Sequence, residues 1–293
     1  KTLDIASGGI TRQYGPWTGV ATVITNGNLT SSSGQLTLTS SGVDNYGSFT
    51  IYSAITGNVE VVKAGLGGID IKGPNSNTYS GTTYMTGPLT ASKSGSAVAI
   101  PGNLVIQNGG QFYANGTAPI SATSAVTIEE GGVWNHGASS LIHGAPVTLS
   151  GGCYYVQNMS PIFAAPGTCL IFNGGRITHY SSAYGSVSLQ GNVSYAATSK
   201  MQALFQQFYG ASGTFGVELD GAQRTFAITN STTLADGVPE MVIDTRITPG
   251  SPAGGSLRKT GTGMLQLTDN NTYTGGTVID GGTLWVSKIS APA

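Results

Sequence analysis

Residues Gly255–Val286 read GSLRKTGTGMLQLTDNNTYTGGTVIDGGTLWV, and the way these residues alternate decides the fold. Lys259-Thr260-Gly261-Thr262-Gly263 has the composition of a tight turn, and Met264–Leu267 is a short strand whose side chains alternate between two faces. Asp269–Tyr273 forms a polar corner, Thr274–Ile279 a second strand, Asp280-Gly281-Gly282 another turn and Thr283–Val286 a third strand. Three strands of this length cannot enclose a core by themselves. They can if the chain coils and each coil stacks on copies of itself.

Copies are present. Val62–Ile71 (VKAGLGGIDI) aligns with Arg258–Leu267 (RKTGTGMLQL), and Asn77-Thr78-Tyr79-Ser80-Gly81 aligns with Asn271-Thr272-Tyr273-Thr274-Gly275. Between them, strand-like blocks end on glycine pairs at 109–110, 131–132, 151–152 and 174–175, stepping by 22, 20 and 23 residues. Each pair is followed by a strand led by a large residue: Phe112, Trp134, Tyr154 or Ile177. A strand–turn–strand period near 20 residues is one coil of a parallel β-solenoid, with glycine supplying the left-handed corner conformations. Asparagines near the corners are expected to take such conformations too, or to stack as ladders. Earlier segments carry the same alternation, including Thr2–Ile5, Leu29–Leu38, Phe49–Tyr52 and Val59–Val62.

The expected organisation is a single elongated solenoid over 1–293, with repeat-like coils at 59–90, 97–193 and 255–287 and an irregular insertion at 195–254. Within that insertion, one short helix is expected near 199–209. Ser199 and Gln202 form a capping-box pair, Gly210 provides a stop, and Met201, Leu204, Phe205 and Phe208 fall on one helical face.

Composition points the same way. Glycine numbers 45 and charged residues are only 9 %, so hydroxyls and amides carry the polar surface, as in extracellular β structure. Net charge is −1, which excludes an electrostatic footprint for nucleic acid or an anionic membrane. No apolar run is long enough to span a bilayer, so no membrane insertion by these residues is expected. The chain opens on Lys1-Thr2-Leu3 without a signal peptide, as a processed or trimmed chain would. Cys153 and Cys169 are either two buried thiols or one disulfide. Together with His136, His143 and His179 they lack metal-ligand spacing, so no metal and no cofactor are expected.

The block Leu257–Val286 resembles the autotransporter-associated β-strand repeat of bacterial secreted passenger domains. The shared features are the Lys-Thr-Gly-x-Gly turn, the Asn-Thr-Tyr-Thr-Gly-Gly-Thr corner and the Gly-Gly-Thr-Leu strand. Val62–Leu89 resembles it more loosely, with Pro88 in place of the second glycine of the later corner. The resemblance implies a right-handed parallel β-helix, exported by a bacterium and displayed or secreted outside the cell. The chain stops at Ser290-Ala291-Pro292-Ala293 without the outer-membrane barrel of classical members, so either cleavage from a barrel or a free secreted protein is expected.

An enzyme is not expected. Among the acids, Glu218 and Asp220 would share a strand face, Asp236, Glu240 and Asp244 are close in sequence, and Glu129-Glu130 sit at a corner. All of these read as solvated surface, and no nucleophile elbow, phosphate loop or dinucleotide fingerprint accompanies them. A polysaccharide-active β-helix enzyme is the least favoured reading. Aromatics spread over several coils (Tyr14, Trp17, Tyr46, Tyr52, Tyr113, Trp134, Tyr154, Tyr155) suit an adhesin or a binder of surface glycans, with about half of them turned inward. The leading expectation is a structural one. Strand pattern reaches both ends without a cap, so the protein is expected to partner itself head-to-tail in an extracellular filament. Leu284 and Val286 would meet Leu3 and Ile5 of the next copy, and Trp285 would anchor the joint from outside.

Overall fold

The computed structural model describes residues 1–13, 22–42, 49–137, 141–157, 160–181, 184–196, 198, 200–207 and 214–287. Tyr14, Trp17 and Tyr46, and Ser199, Phe208 and Tyr209 of the expected helix, lie outside them. The chain divides into two compact units, Lys1–Ser139 and Ser140–Ala293. Each is a parallel β-solenoid, and among the described residues neither contains a helix.

In the first unit one face is the ladder Gly9–Arg12, Gln35–Ser40, Glu60–Ala64, Thr83–Met85, Leu104–Ile106 and Val126–Glu129. A second face stacks Thr22–Ile24, Phe49–Ile51, Ile69–Gly73, Pro88–Lys93, Gln111–Ala114 and Val133–His136. A short third sheet joins Thr2–Asp4, Asn28–Thr30 and Ala54–Ile55. Partners are about one coil apart in sequence, as in Leu104↔Val126 and Phe112↔Trp134, which is the step of the glycine pairs. Because the register is exact from coil to coil, the alternation within each strand becomes a column across strands. Phe49, Ile69, Leu89, Phe112 and Trp134 form one such column, all buried, and the Phe112 and Trp134 rings lie 4.6 Å apart. The repeat therefore buries its core by stacking like on like.

The second unit follows the same plan. One face runs Val147–Ser150, Thr168–Phe172, Asn192–Tyr195, Gln223–Ile228, Ser256–Thr260 and Thr277–Ile279. The second runs Cys153–Val156, Gly175–His179, Ala203–Gln207, Met241–Asp244, Met264–Leu267 and Thr283–Val286. The third sheet is Ile142–His143, Ile162–Phe163, Gly185–Leu189, Phe215–Glu218 and Arg246–Thr248.

Two expectations are corrected here. Residues 195–254 are not an irregular insertion, since their strands Ala203–Gln207, Phe215–Glu218, Gln223–Ile228, Met241–Asp244 and Arg246–Thr248 sit in all three ladders. The helix near 199–209 is replaced, in its described part, by the strand Ala203–Gln207, paired on one side with Gly175–His179 and on the other with Met241–Asp244. Ala203 and Phe205 point inward and Leu204 outward, so the helical face of Met201, Leu204 and Phe205 does not form. Two waiting strand edges supply more hydrogen bonds and more burial than local helix propensity can offset.

The two sequence copies share two of their corner bonds, each within its own unit. Asn77 Oδ1 accepts from the Ile55 N–H at 2.9 Å, and Asn271 Oδ1 accepts from the Ile247 N–H at 2.8 Å. The Tyr79 and Thr83 hydroxyls meet at 2.6 Å, as do those of Tyr273 and Thr277. The corner asparagines thus bond to the backbone of the neighbouring coil. Asn103 and Asn192 do so as well, taking the Ala125 and Thr225 N–H groups.

Candidate functional site

The third sheet of the second unit carries a feature with the shape of a binding site. Along Gly185–Leu189, Phe215–Glu218 and Arg246–Thr248, Val187, Val217 and Ile247 are in register and buried. Alternation then turns the flanking residues outward: Ser186, Gly216 and Arg246 form one column, and Ser188, Glu218 and Thr248 the next. Gly216 leaves a gap in the first column, because a Cβ there would meet only the Arg246 carbonyl oxygen, at 3.5 Å. The result is a groove of about 420 Å³ whose walls also include Ser160, Tyr184, Gln207, Thr214, Asp244 and Asp269. Ser186 Oγ donates to Ser160 Oγ at 2.7 Å, and the Thr268 hydroxyl donates to Asp244. Glu218 and Arg246 engage no side-chain partner among the described residues, and Tyr184 at the rim is 81 % exposed.

Beneath this groove lies His179. Its ring stacks on that of Phe215, with centroids 5.7 Å apart and planes 6° apart, and it abuts the Gly185 backbone. Burial lowers its pKa below the ordinary histidine value. The imidazole is therefore held neutral as a packing element.

The other residues singled out by the sequence take their places as follows. Glu240 is buried, and its carboxylate accepts from the Ser231 and Met264 N–H groups at 2.9 and 2.6 Å, so it is not solvated surface. Its neighbour Asp244 lines the groove, and Asp220 lies 4.0 Å from Arg224. Cys153 and Cys169 are free, buried thiols on different sheets. Arg176 Nε donates to Cys153 Sγ, and Cys169 Sγ donates to the Asn192 carbonyl, each at 3.3 Å. Burial raises both thiol pKa values, that of Cys169 to about 11, so neither is a reactive thiolate.

Among the aromatics, Trp134 and Tyr154 are core, Tyr52 is exposed, and Tyr113 donates to Gln111 Oε1 at 2.7 Å. Tyr155 packs edge-on against Tyr180 with centroids 6.3 Å apart. Leu3, Trp285 and Val286 are exposed by 52 %, 46 % and 53 %, while Ile5 and Leu284 are half-buried. Leu284 and Val286 continue the inward columns of Leu265 and Leu267, and Trp285 lies beside Gln266 on the outer face. Sequence reasoning passed over Tyr184 and Gly216. The signal was available in the pattern Gly185-Ser-Val-Ser-Leu and Phe215-Gly-Val-Glu, two strands with a small residue, Ser186 or Gly216, at the same position before a buried valine.

Comparison with known proteins gives two matches. The model of the passenger-associated-transport-repeat family matches residues 257–286, the block from which the fold was read. The protein "Adhesin BmaC autotransporter" of Brucella suis biovar 1 (strain 1330) is 26 % identical over 291 residues, covering 89 % of this chain. The chain spans only 8 % of that relative's length. No solved structure matches. The repeat at 257–286, the similarity to an autotransporter adhesin and the parallel solenoid together fit an autotransporter-passenger-like β-helix.

Proposed function

We propose that this chain is part of a bacterial autotransporter passenger that acts as an adhesin, outside the cell and without turnover chemistry. The observation that carries the reading is the similarity to an autotransporter adhesin along 89 % of the chain, in a protein whose coils stack strand on strand in parallel ladders. A rigid ladder of coils with a low-charge, hydroxyl-rich surface is suited to presenting contacts at fixed spacing, with little of its own flexibility to lose on binding. Two acids outside the groove support the same reading, because Glu240 accepts from the Ser231 and Met264 N–H groups and Asp220 lies 4.0 Å from Arg224. The test is attachment: beads coated with the purified chain are incubated with cultured animal cells, beside beads carrying an unrelated β protein of equal charge. Attachment above the control supports adhesion, and parity with the control sinks it.

A second reading, head-to-tail assembly, draws on the apolar residues exposed on edge strands, Leu3 on Thr2–Asp4 and Val286 on Thr283–Val286. A further coil of a longer polypeptide would cover the same edges. Negative-stain electron microscopy separates the two readings: fibres that Ile5→Lys abolishes would favour assembly, and discrete particles would not.

A further inference from the structure

We propose that the groove on the third sheet of the second unit binds an extended, uncharged, hydroxyl-rich oligosaccharide. The inference deepens the adhesive reading and rests on it. It names which face of the chain makes contact and what chemistry that face accepts.

Three observations carry it. First, the groove holds unengaged hydrogen-bonding groups of both kinds. Glu218 offers a carboxylate acceptor and Arg246 a fork of donors, on neighbouring strands, without partners from other side chains among the described residues. Sugar hydroxyls both donate and accept, so one ring can satisfy a carboxylate and a guanidinium together, through bonds strengthened by charge. Second, Tyr184 stands 81 % exposed at the rim. An aromatic face with a polar tip suits the apolar face of a pyranose ring while its hydroxyl stays wet. Third, Gly216 keeps the floor open between Ser186 and Arg246, so the gap spans three successive strands. At about 4.8 Å per strand the floor is about 10 Å long, room for a short run of linked rings lying across the strands.

The alternatives fit less well. Glu218, Asp244 and Asp269 would repel a phosphate backbone that Arg246 alone could not hold. A peptide adding as a strand needs a free sheet edge, and the strand Phe215–Glu218 is paired on both sides. An apolar ligand would leave the carboxylates and hydroxyls dry and unpaired.

The test is titration calorimetry of the purified chain with cellohexaose and with N-acetylchitohexaose, both flat and uncharged. Tyr184→Ala removes the platform, and Gly216→Val fills the floor without deleting a polar group. Both sites face solvent, so melting temperature and far-ultraviolet circular dichroism should be unchanged. The expected result is saturable binding of at least one hexaose, weakened about tenfold or more by each variant. Absence of binding of both hexaoses overturns the inference, and so does binding that Tyr184→Ala and Gly216→Val leave intact. Bead attachment separates this from the adhesive reading. Attachment that survives in both variants shows adhesion through another face and ends the groove's role, whereas wild-type beads that fail to attach end the adhesive reading itself.

Discussion

The Glu240 carboxylate takes the N–H of Met264 at 2.6 Å, 24 residues further along the chain, while its other oxygen takes the N–H of Ser231 at 2.9 Å. One buried side chain thus closes the loop that precedes it and clamps the first residue of a strand in the next coil. It also lies close enough to the buried Lys259 ammonium to favour that charge. Glu240→Ala removes two charge-assisted bonds and leaves Lys259 without its nearest negative group. The expected loss is about 3 kcal/mol in urea unfolding, with Glu240→Gln recovering part of it because one amide oxygen remains to accept. Equal stability of Glu240→Ala and wild type would show that the clamp is ornamental.

Lys63 and Lys259 occupy the same place in the two copies of the repeat, each at an inward position of its strand. Lys63 Nζ donates to the Ala64 and Gly65 carbonyls, and Lys259 Nζ to those of Thr260, Gly261 and Gly281. The difference matters for charge. Two carbonyls can be served by a neutral amine, whereas three need the ammonium. Burial accordingly lowers Lys63, and likewise Lys93, to about 8, while Glu240 holds Lys259 up against the same effect. In the unfolded chain these lysines keep the ordinary value of 10.5. Between pH 8 and 9.5 the unfolded state therefore binds more protons, and stability should rise with pH by roughly 1 kcal/mol per unit for each lysine. Chemical denaturation across that range should show the rise, and Lys63→Met should remove its share. A flat or falling curve in the wild type would mean that both lysines stay charged inside.

The coil was legible because its signal is both local and repeated. Alternation in Met264–Leu267 predicts two inward residues, and Leu265 and Leu267 are indeed buried. The glycine pairs predict left-handed corners, and Gly109, Gly131, Gly151 and Gly174 have φ between 76° and 86°. Legibility failed where two local signals competed. Residues 199–210 carry a capping box and a helical stripe, yet Ala203–Gln207 is a strand, because edges contributed by residues up to 38 positions away decide the matter (Ala203 pairs Gly175 and Met241, and Gln206 pairs Asp244). Glu240 was misread for a related reason. An acid between Pro239 and Met241 has no sequence mark of burial until Ser231 and Met264 are brought to it. The groove was invisible because its walls come from five separate coils, and its floor is defined by a missing side chain, at Gly216.

His179 predicts an acid-sensitive groove. Its ring lies buried between the Phe215 ring and the Gly185 backbone, both of which line the groove, and burial holds its pKa below the ordinary 6.5. The unfolded histidine takes up its proton first as pH falls through that value. Stability contributed by the neutral ring is therefore full above pH 6.5 and is lost progressively below it. His179→Phe keeps the stack and removes the proton site. Melting temperatures measured from pH 7 to pH 5 should fall less steeply for this variant than for wild type, and parallel curves would place the acid sensitivity elsewhere.

Gly261 tests how strictly the repeat specifies its corner. Its φ is +77°, and a Cβ built there would lie 2.4 Å from the Ile228 carbonyl oxygen, which is backbone and cannot swing aside. Gly261→Ala must therefore both strain the turn and push the Ser256–Thr260 and Met264–Leu267 strands away from the coil before them, at an expected cost of about 2–3 kcal/mol. The damage should be local, since a solenoid transmits stability chiefly to its neighbours. Hydrogen exchange should quicken in Met264–Leu267 and Thr283–Val286, which pair with each other, and remain slow in Gly175–His179. Gly68 provides the control. It has open space where a Cβ would sit and no left-handed φ, so Gly68→Ala should change stability by less than about 0.5 kcal/mol. If Gly261→Ala behaves like Gly68→Ala, the close approach of that corner to Ile228 is not what fixes the coil.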